Sequence, residues 1–196
     1  MTAEPAPEPV SPTSSATPRD RIVAAAMDLV VAYGYQRLRM RDVADAAGVS
    51  RQTVYNEFGD KWGLAQAVVM RDTELFLDDV DAALARHDDL TAAVTEAVYY
   101  SLTSAASQPL RKAVLTGDGR ELLPLLTTEA EPQLFAARTR LVEHVRRHWP
   151  GLPQDEVAAV VDAAVRLTMS HMMLPSDPPD VVAARIAAMV TRYLGV

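Results

Sequence analysis

Arg51, Gln52, Thr53, Tyr55 and Asn56 fall within one short stretch, with Ser50 immediately before them. A guanidinium reaches two acceptors at once, an amide donates and accepts side by side, and a phenol or hydroxyl does either. Arg can grip guanine O6 and N7, and Gln or Asn can pair with adenine N6 and N7. These side chains are suited to meet something charged and hydrogen-bonding outside the chain. Residues for covalent chemistry are sparse. There is no cysteine, no paired His–carboxylate motif and no phosphate loop.

The local pattern says what positions these groups. Val54 and Phe58 are i, i+4 and apolar, so they face inward with Val49 beneath them. Arg51 with Tyr55, and Gln52 with Asn56, then share the opposite face. Ser50 suits the N-cap of this helix, which ends near Phe58. A helix over Met40 to Ala47 precedes it, closed by Gly48. Two short helices joined by a glycine-bearing turn, the second with a polar outer face, make a helix-turn-helix. That geometry sets the N-terminal half of the second helix in the major groove. The wheel alone equally allows a solvated helix in an α-helical domain.

Helical periodicity continues along the chain. A first helix over Arg19 to Tyr33 carries an Ile22, Ala25, Ala26, Leu29, Val30 stripe, and Gly34 follows it. Asp60 can cap a long helix from Lys61 to about Arg86. Further helices are expected over Leu90–Ser107, Pro109–Thr116, Arg120–Leu126 (interrupted by Pro124), Gln133–Trp149, Pro153–Leu174 and Asp180–Leu194. Strand-like alternation is absent. The expected fold is all-α, with a helix-turn-helix head over 19–64 and a helical body over 65–196. Residues 1–18 hold five of the 13 prolines and little that is bulky, so they are expected to be disordered.

Composition narrows the classes. The 196 residues are 49% hydrophobic, enough for a core. No apolar run approaches the ~20 residues of a membrane span. The acidic, Pro-rich N-terminus lacks the charge and apolar run of a secretion signal. With the missing cysteines, this fits the cytoplasm. The net charge of -7 has the wrong sign for a nucleic-acid binder, but residues 19–61 carry seven basic and six acidic side chains. The acidity resides in the remainder, beside a slightly basic module.

The run "RDRIVAAAMDLVVAYGYQRLRMRDVADAAGVSRQTVYNEFGDKWGL" resembles the DNA-binding domain of tetracycline-repressor-like (TetR-type) transcriptional regulators. The specific parts are Ala47 to Ser50, then Thr53, Tyr55, Phe58, Lys61 and Leu64 in register. "RLTMSHMMLP" (Arg166 to Pro175) is similar to the penultimate helix of many members. The resemblance implies an all-α homodimer joined through its last two helices, an N-terminal head on double-stranded operator DNA, and a body that binds a small effector. It implies phosphate contacts for Tyr55 and Lys61 and a place at the DNA surface for Thr53. Phosphates would also meet Arg39, Arg41 and the helix-terminal amides at Ser50 and Asp60. Arg51, Gln52 and Asn56 would read bases. Three positions depart from the family pattern. Arg39 stands where a capping Thr is usual, Gln52 where a small residue is, and Glu57 where an aromatic or His is. Glu57 can accept from a cytosine amine, or repel phosphate.

Tyr99, Tyr100, Phe135, Met169, Met172 and His171 are candidate walls of an effector cavity; the alternative for each is ordinary core. Met-rich faces adapt to apolar shapes, so the effector is expected to be largely apolar. Arg166 can pair with a carboxylate of ligand or protein, an internal ion pair being favoured. His144 and His148 have the i, i+4 spacing of metal ligands, but no third ligand is evident and Arg146 and Arg147 oppose a cation. No metal or cofactor is expected, nor catalysis. The rival readings are an all-α enzyme and an all-α ligand-binding or scaffold protein that has lost operator binding through Arg39 and Glu57.

Overall fold

A computed structural model describes residues 16–104, 110 and 120–196. Among the described residues all regular structure is helical. Most of the expected tail (1–15), the last residues of the expected Leu90–Ser107 helix, and all but Leu110 of the expected Pro109–Thr116 helix lie outside them.

The head is built by caps placed between short apolar stripes. α1 (Pro18–Tyr33) opens on a reciprocal cap: Thr17 Oγ1 accepts from the Asp20 amide, and Asp20 accepts from the Thr17 amide, both at 3.1 Å. α2 (Met40–Ala47) has no side-chain cap from Arg39. Gly48 ends it in the left-handed region (φ 64°, ψ 40°), where a Cβ would be strained. α3 (Arg51–Phe58) starts with Ser50 Oγ accepting from the Thr53 amide at 3.0 Å. α4 (Lys61–Leu84) starts with Asp60 accepting from the Gly63 amide at 2.9 Å. Gly63 permits a close approach. A Cβ there would lie 2.1 Å from the Phe58 carbonyl oxygen, which is backbone and cannot swing aside.

The body follows as α5 (Leu90–Ser104), a 3₁₀ turn over Arg120–Leu122, α6 (Leu123–Leu126), α7 (Glu131–His148), α8 (Gln154–Met173) and α9 (Pro179–Leu194). α4 stops two residues short of the expected Arg86. The chain needs 85–89 to reverse, and Asp89 caps α5 by accepting from the Ala92 amide at 2.8 Å. Pro124 opens α6 rather than interrupting a helix, because a proline in the first turn loses no helical hydrogen bond.

α5 packs along α9, α8 lies between α7 and α9, and α4 joins head to body. α4 and α7 run side by side in the same direction. Arg140 grips Asp78 at 2.6 Å and also Asp81, and the Trp149 indole donates to the Asp88 carbonyl at 2.8 Å. One core fills the head around Ile22, Val43, Val54, Leu64 and Val68. A second fills the body around Val98, Val157, Val182 and Ile186. Leu122 and Leu125 come from the body side of the chain, yet they are buried in the head's core. Each such side chain contributes about 1.5–3 kcal/mol by leaving water.

Candidate nucleic-acid interface and interior cavity

α3 presents one face to the head and the other to solvent. Val54 is 0% exposed and Phe58 9%, while Tyr55 is 48% exposed. Arg51, Gln52 and Asn56 are exposed beside Tyr55, and Thr53 is half-buried. Ser50 Oγ lies 2.8 Å from Thr53 Oγ1, so the N-terminus of α3 holds its own hydroxyls in place. Gln52 Nε2 donates to Asn56 Oδ1 at 2.8 Å. This link stiffens both amides and leaves the Gln52 oxygen and the Asn56 nitrogen facing outward.

Charge around α3 is arranged by tertiary partners. Glu57, which the sequence leaves between accepting a base amine and repelling phosphate, belongs to Arg19 of α1. The guanidinium lies 3.7 Å from its carboxylate, donates to the Glu57 carbonyl at 3.2 Å and covers the Phe58 ring at 4.6 Å. Its charge is thus offset from within the head. Lys61 Nζ donates to the Gln36 carbonyl at 3.2 Å and stands 4.2 Å from the centre of the Tyr35 ring. Two of its three donors remain. Arg41 pairs with Asp45 at 3.6 Å, an exposed i, i+4 contact that is weak in water. Arg39 and Arg51 are exposed and hold no ion pair among the described residues.

Inside the body lies a cavity of about 180 Å³. Phe76, Leu77 and Val80 of α4, Val94 and Val98 of α5, Leu141 and Val145 of α7, and Val161 and Val165 of α8 form most of its wall. Leu125 and Leu126 of α6 close one end. Among the proposed effector residues, Met169 and Met172 line it. The five others stand elsewhere, which corrects the expectation for them. Tyr99 points outward and Phe135 is 69% exposed. Tyr100 stacks on Phe76 and donates to Asp79 at 2.5 Å, so it stands behind the wall. Arg166 is exposed and pairs with Asp162 at 2.9 Å, the internal ion pair favoured from the sequence. His171 faces Ser176 at 3.5 Å, outside the wall. The cause is common to all five. Helical spacing sorts residues onto faces, but the packing of neighbouring helices decides which face looks into a void.

His144 and His148 stack at 4.1 Å instead of converging on a point. His144 is buried with Nδ1 3.2 Å from Asp81. Burial, then the neighbouring His148, holds its pKa below the ordinary histidine value, against the pull of Asp81.

Several contributors have no motif. Gly63 is a helical glycine whose close approach appears only in three dimensions. Arg19 is held to Glu57 across 38 positions of sequence. Gln133 and Leu125 take part in the cavity wall, and the Leu-rich run 122–126 was the one signal for the latter.

Residues 22–68 match the family model described as "Bacterial regulatory proteins, tetR family". Residues 89–192 match "Bacterial Tetracyclin repressor, C-terminal domain". The chain is 33% identical over 187 residues to the HTH-type transcriptional regulator AlkX of Mycobacterium tuberculosis, covering 94% of this chain and 89% of that one. Its fold is similar to the crystal structure of the TetR family repressor AlkX from a Dietzia species, implicated in biodegradation of n-alkanes. There the TM-score is 0.77 at 30% identity, over 91% of this chain and 96% of that chain. RolR bound to resorcinol shares the fold alone, with a TM-score of 0.67 at 16% identity over 91% of each chain.

Proposed function

The chain belongs to the tetracycline-repressor family of bacterial transcriptional regulators, and from that premise we propose how it works. It is a ligand-responsive DNA-binding repressor. Two copies set their α3 helices into successive major grooves of a pseudo-palindromic operator, ~34 Å or somewhat more apart. A largely apolar small molecule in the body cavity releases them. The division into a head over 19–64 and a body over 65–196 follows this work, although the head's core borrows α4 as far as Val69. The protein acts in the cytoplasm, where the operator is.

The observation that carries the reading is the outward face of α3: Arg51, Gln52, Tyr55 and Asn56 in solvent over buried Val54 and Phe58. Arg51, Gln52 and Asn56 read base edges. Tyr55, Lys61, Arg39 and Arg41, with Thr53 and the amides at Ser50 and Asp60, hold phosphates. The Arg19–Glu57 pair offsets part of the charge that would oppose phosphate, which supports the operator-binding reading over the scaffold one. The family is one of regulators, which leaves the enzyme reading without support.

For the dimer, Ala159, Ala163, Leu167 and Ser170 are exposed on α8, and Tyr193 is exposed on α9. Small side chains with scattered apolar ones suit a close helix contact across a two-fold axis. For the coupling, α4 gives Leu64, Ala65, Val68 and Val69 to the head and Phe76, Leu77, Val80 and Leu84 to the cavity wall. Leu125 belongs to both at once. An occupant that moves Leu125 or tilts α4 changes head spacing, and its preference for that conformer sets the extent of release.

The test is a gel shift on the chain's own upstream region at rising salt. Operator affinity should fall steeply with salt, because each phosphate contact releases a counterion. A fold-specific preference for no fragment over random DNA would overturn the reading.

A further inference from the structure

Resting on the reading of the cavity as the effector site, we propose that its ligand is a linear, neutral aliphatic molecule ending in one hydrogen-bond donor, such as a primary alcohol.

Shape comes first. The wall runs from Asp72 to Leu84 on α4 and from Val160 to Met172 on α8. At ~1.5 Å per residue either stretch spans roughly 18 Å. A cavity of about 150 Å³ takes one benzene ring. A volume of about 180 Å³ lined along this whole length suits an extended chain.

Polarity comes second. Asp72, Thr73, Ser101, Gln133 and Thr168 are the polar residues of the wall. The helix directions bring them to one end. α4 and α7 are parallel, so Asp72 and Gln133 lie at the same level; α5 and α8 return in the opposite sense, so Ser101 and Thr168 lie there too. Leu125 and Leu126 close this end. The far end holds Leu84, Leu90, Val145, Val160, Val190 and Leu194. The void therefore has a polar head and an apolar tail.

The chemistry of the polar end asks for a donor. The three hydroxyls give their protons to helix carbonyls: Thr73 to Val69 at 2.9 Å, Ser101 to Ala97 at 2.7 Å and Thr168 to Ala164 at 2.8 Å. Their open valences are lone pairs. Gln133 is 7% exposed, and its Oε1 has no hydrogen-bond partner among the described residues. A buried acceptor without a donor is costly, so a donating ligand is favoured there. A carboxylate head would set lone pairs against the lone pairs of Gln133 and the three hydroxyls and would lose its hydration as well. An alkane fills the tail and leaves Gln133 as it is.

The test uses the full chain with 1-decanol, decane, decanoate and 2-naphthol, each read by thermal shift and calorimetry and, separately, by release of the operator. The expected result is binding of 1-decanol roughly tenfold tighter than decane, with decanoate and 2-naphthol weaker still. Gln133→Leu should erase the preference for the alcohol over decane while keeping decane binding. Decanoate or 2-naphthol binding as well as 1-decanol, or an undiminished alcohol preference in Gln133→Leu, overturns the proposal. Alcohol binding by a chain that holds no operator would sustain the ligand assignment and sink the repressor reading. Operator binding with no alcohol preference does the reverse.

Discussion

The outer face of α3 and the cavity of the body are both binding surfaces, built on opposite terms. α3 keeps its reaching side chains in water and gains by charge and hydrogen bonding, in a setting that salt screens. The cavity is walled mostly by apolar side chains and gains by filling apolar space, which salt hardly touches. Among the described residues the two meet along α4 and at Leu125 and Leu126, leucines that line the cavity and pack with the core of the head. Perturbations should therefore fall into three kinds: those felt by the head, those felt by the cavity, and those at the junction felt by both.

Two effects are expected to be largest, and the first breaks the head alone. Gly63→Ala forces a Cβ to within 2.1 Å of the Phe58 carbonyl oxygen. Calorimetric unfolding should show a loss of about 3 kcal/mol, and operator binding should fall further than alcohol binding. At the junction, Leu125→Ala empties space at a side chain that is 1% exposed. It should cost about 2–5 kcal/mol by denaturant unfolding, and it should weaken the link between ligand occupancy and operator release. If release by ligand persists unchanged, Leu125 is only packing.

On α3, Arg51→Ala or Gln52→Ala should relax preference at particular base pairs by about 1–3 kcal/mol, read by competition among operator variants. Tyr55→Phe and Lys61→Ala should instead weaken all sequences alike, the latter reducing the salt slope by about one. Equal effects on operator and random DNA for all four would dissolve the division between readers and holders.

Acid should act on the body. The folded-state pKa of His144 lies below its ordinary value of 6.5, so the neutral form is favoured by folding. Its contribution is complete above that value and is lost as pH falls below it, because the unfolded chain then binds the extra proton. Thermal unfolding between pH 7.5 and 5 should show this loss, and His144→Asn should flatten it. The smallest effect is expected from Glu57→Gln. An exposed ion pair is worth about 0–1 kcal/mol, so stability should barely change. Operator affinity should rise slightly as Arg19 is freed to face phosphate.

The head was legible because its information is local. Ser50, Val54, Tyr55 and Phe58 lie within two helical turns, and their spacing alone separates inside from outside. Gly48 and Asp60 mark turns by their own conformational preferences. Even there, Glu57 stayed ambiguous until Arg19 was brought beside it from α1. In the body, Tyr99, Tyr100, Phe135 and Arg166 had the right chemistry for a pocket and the wrong place. Met169 and Met172 lie on the wall because α8 turns that face toward α4 and α7.

By itself the sequence determined the helical order, the caps and the outward polar face of α3, since each depends on residues a few positions apart and on backbone preference. Tertiary structure alone decided which faces enclose the void, that five polar residues gather at one end of it, and that Leu125 serves both the head's core and the cavity wall. Those outcomes depend on the direction and register of helices far apart in the chain, which arise from packing among many side chains at once and leave no periodic trace in any one segment.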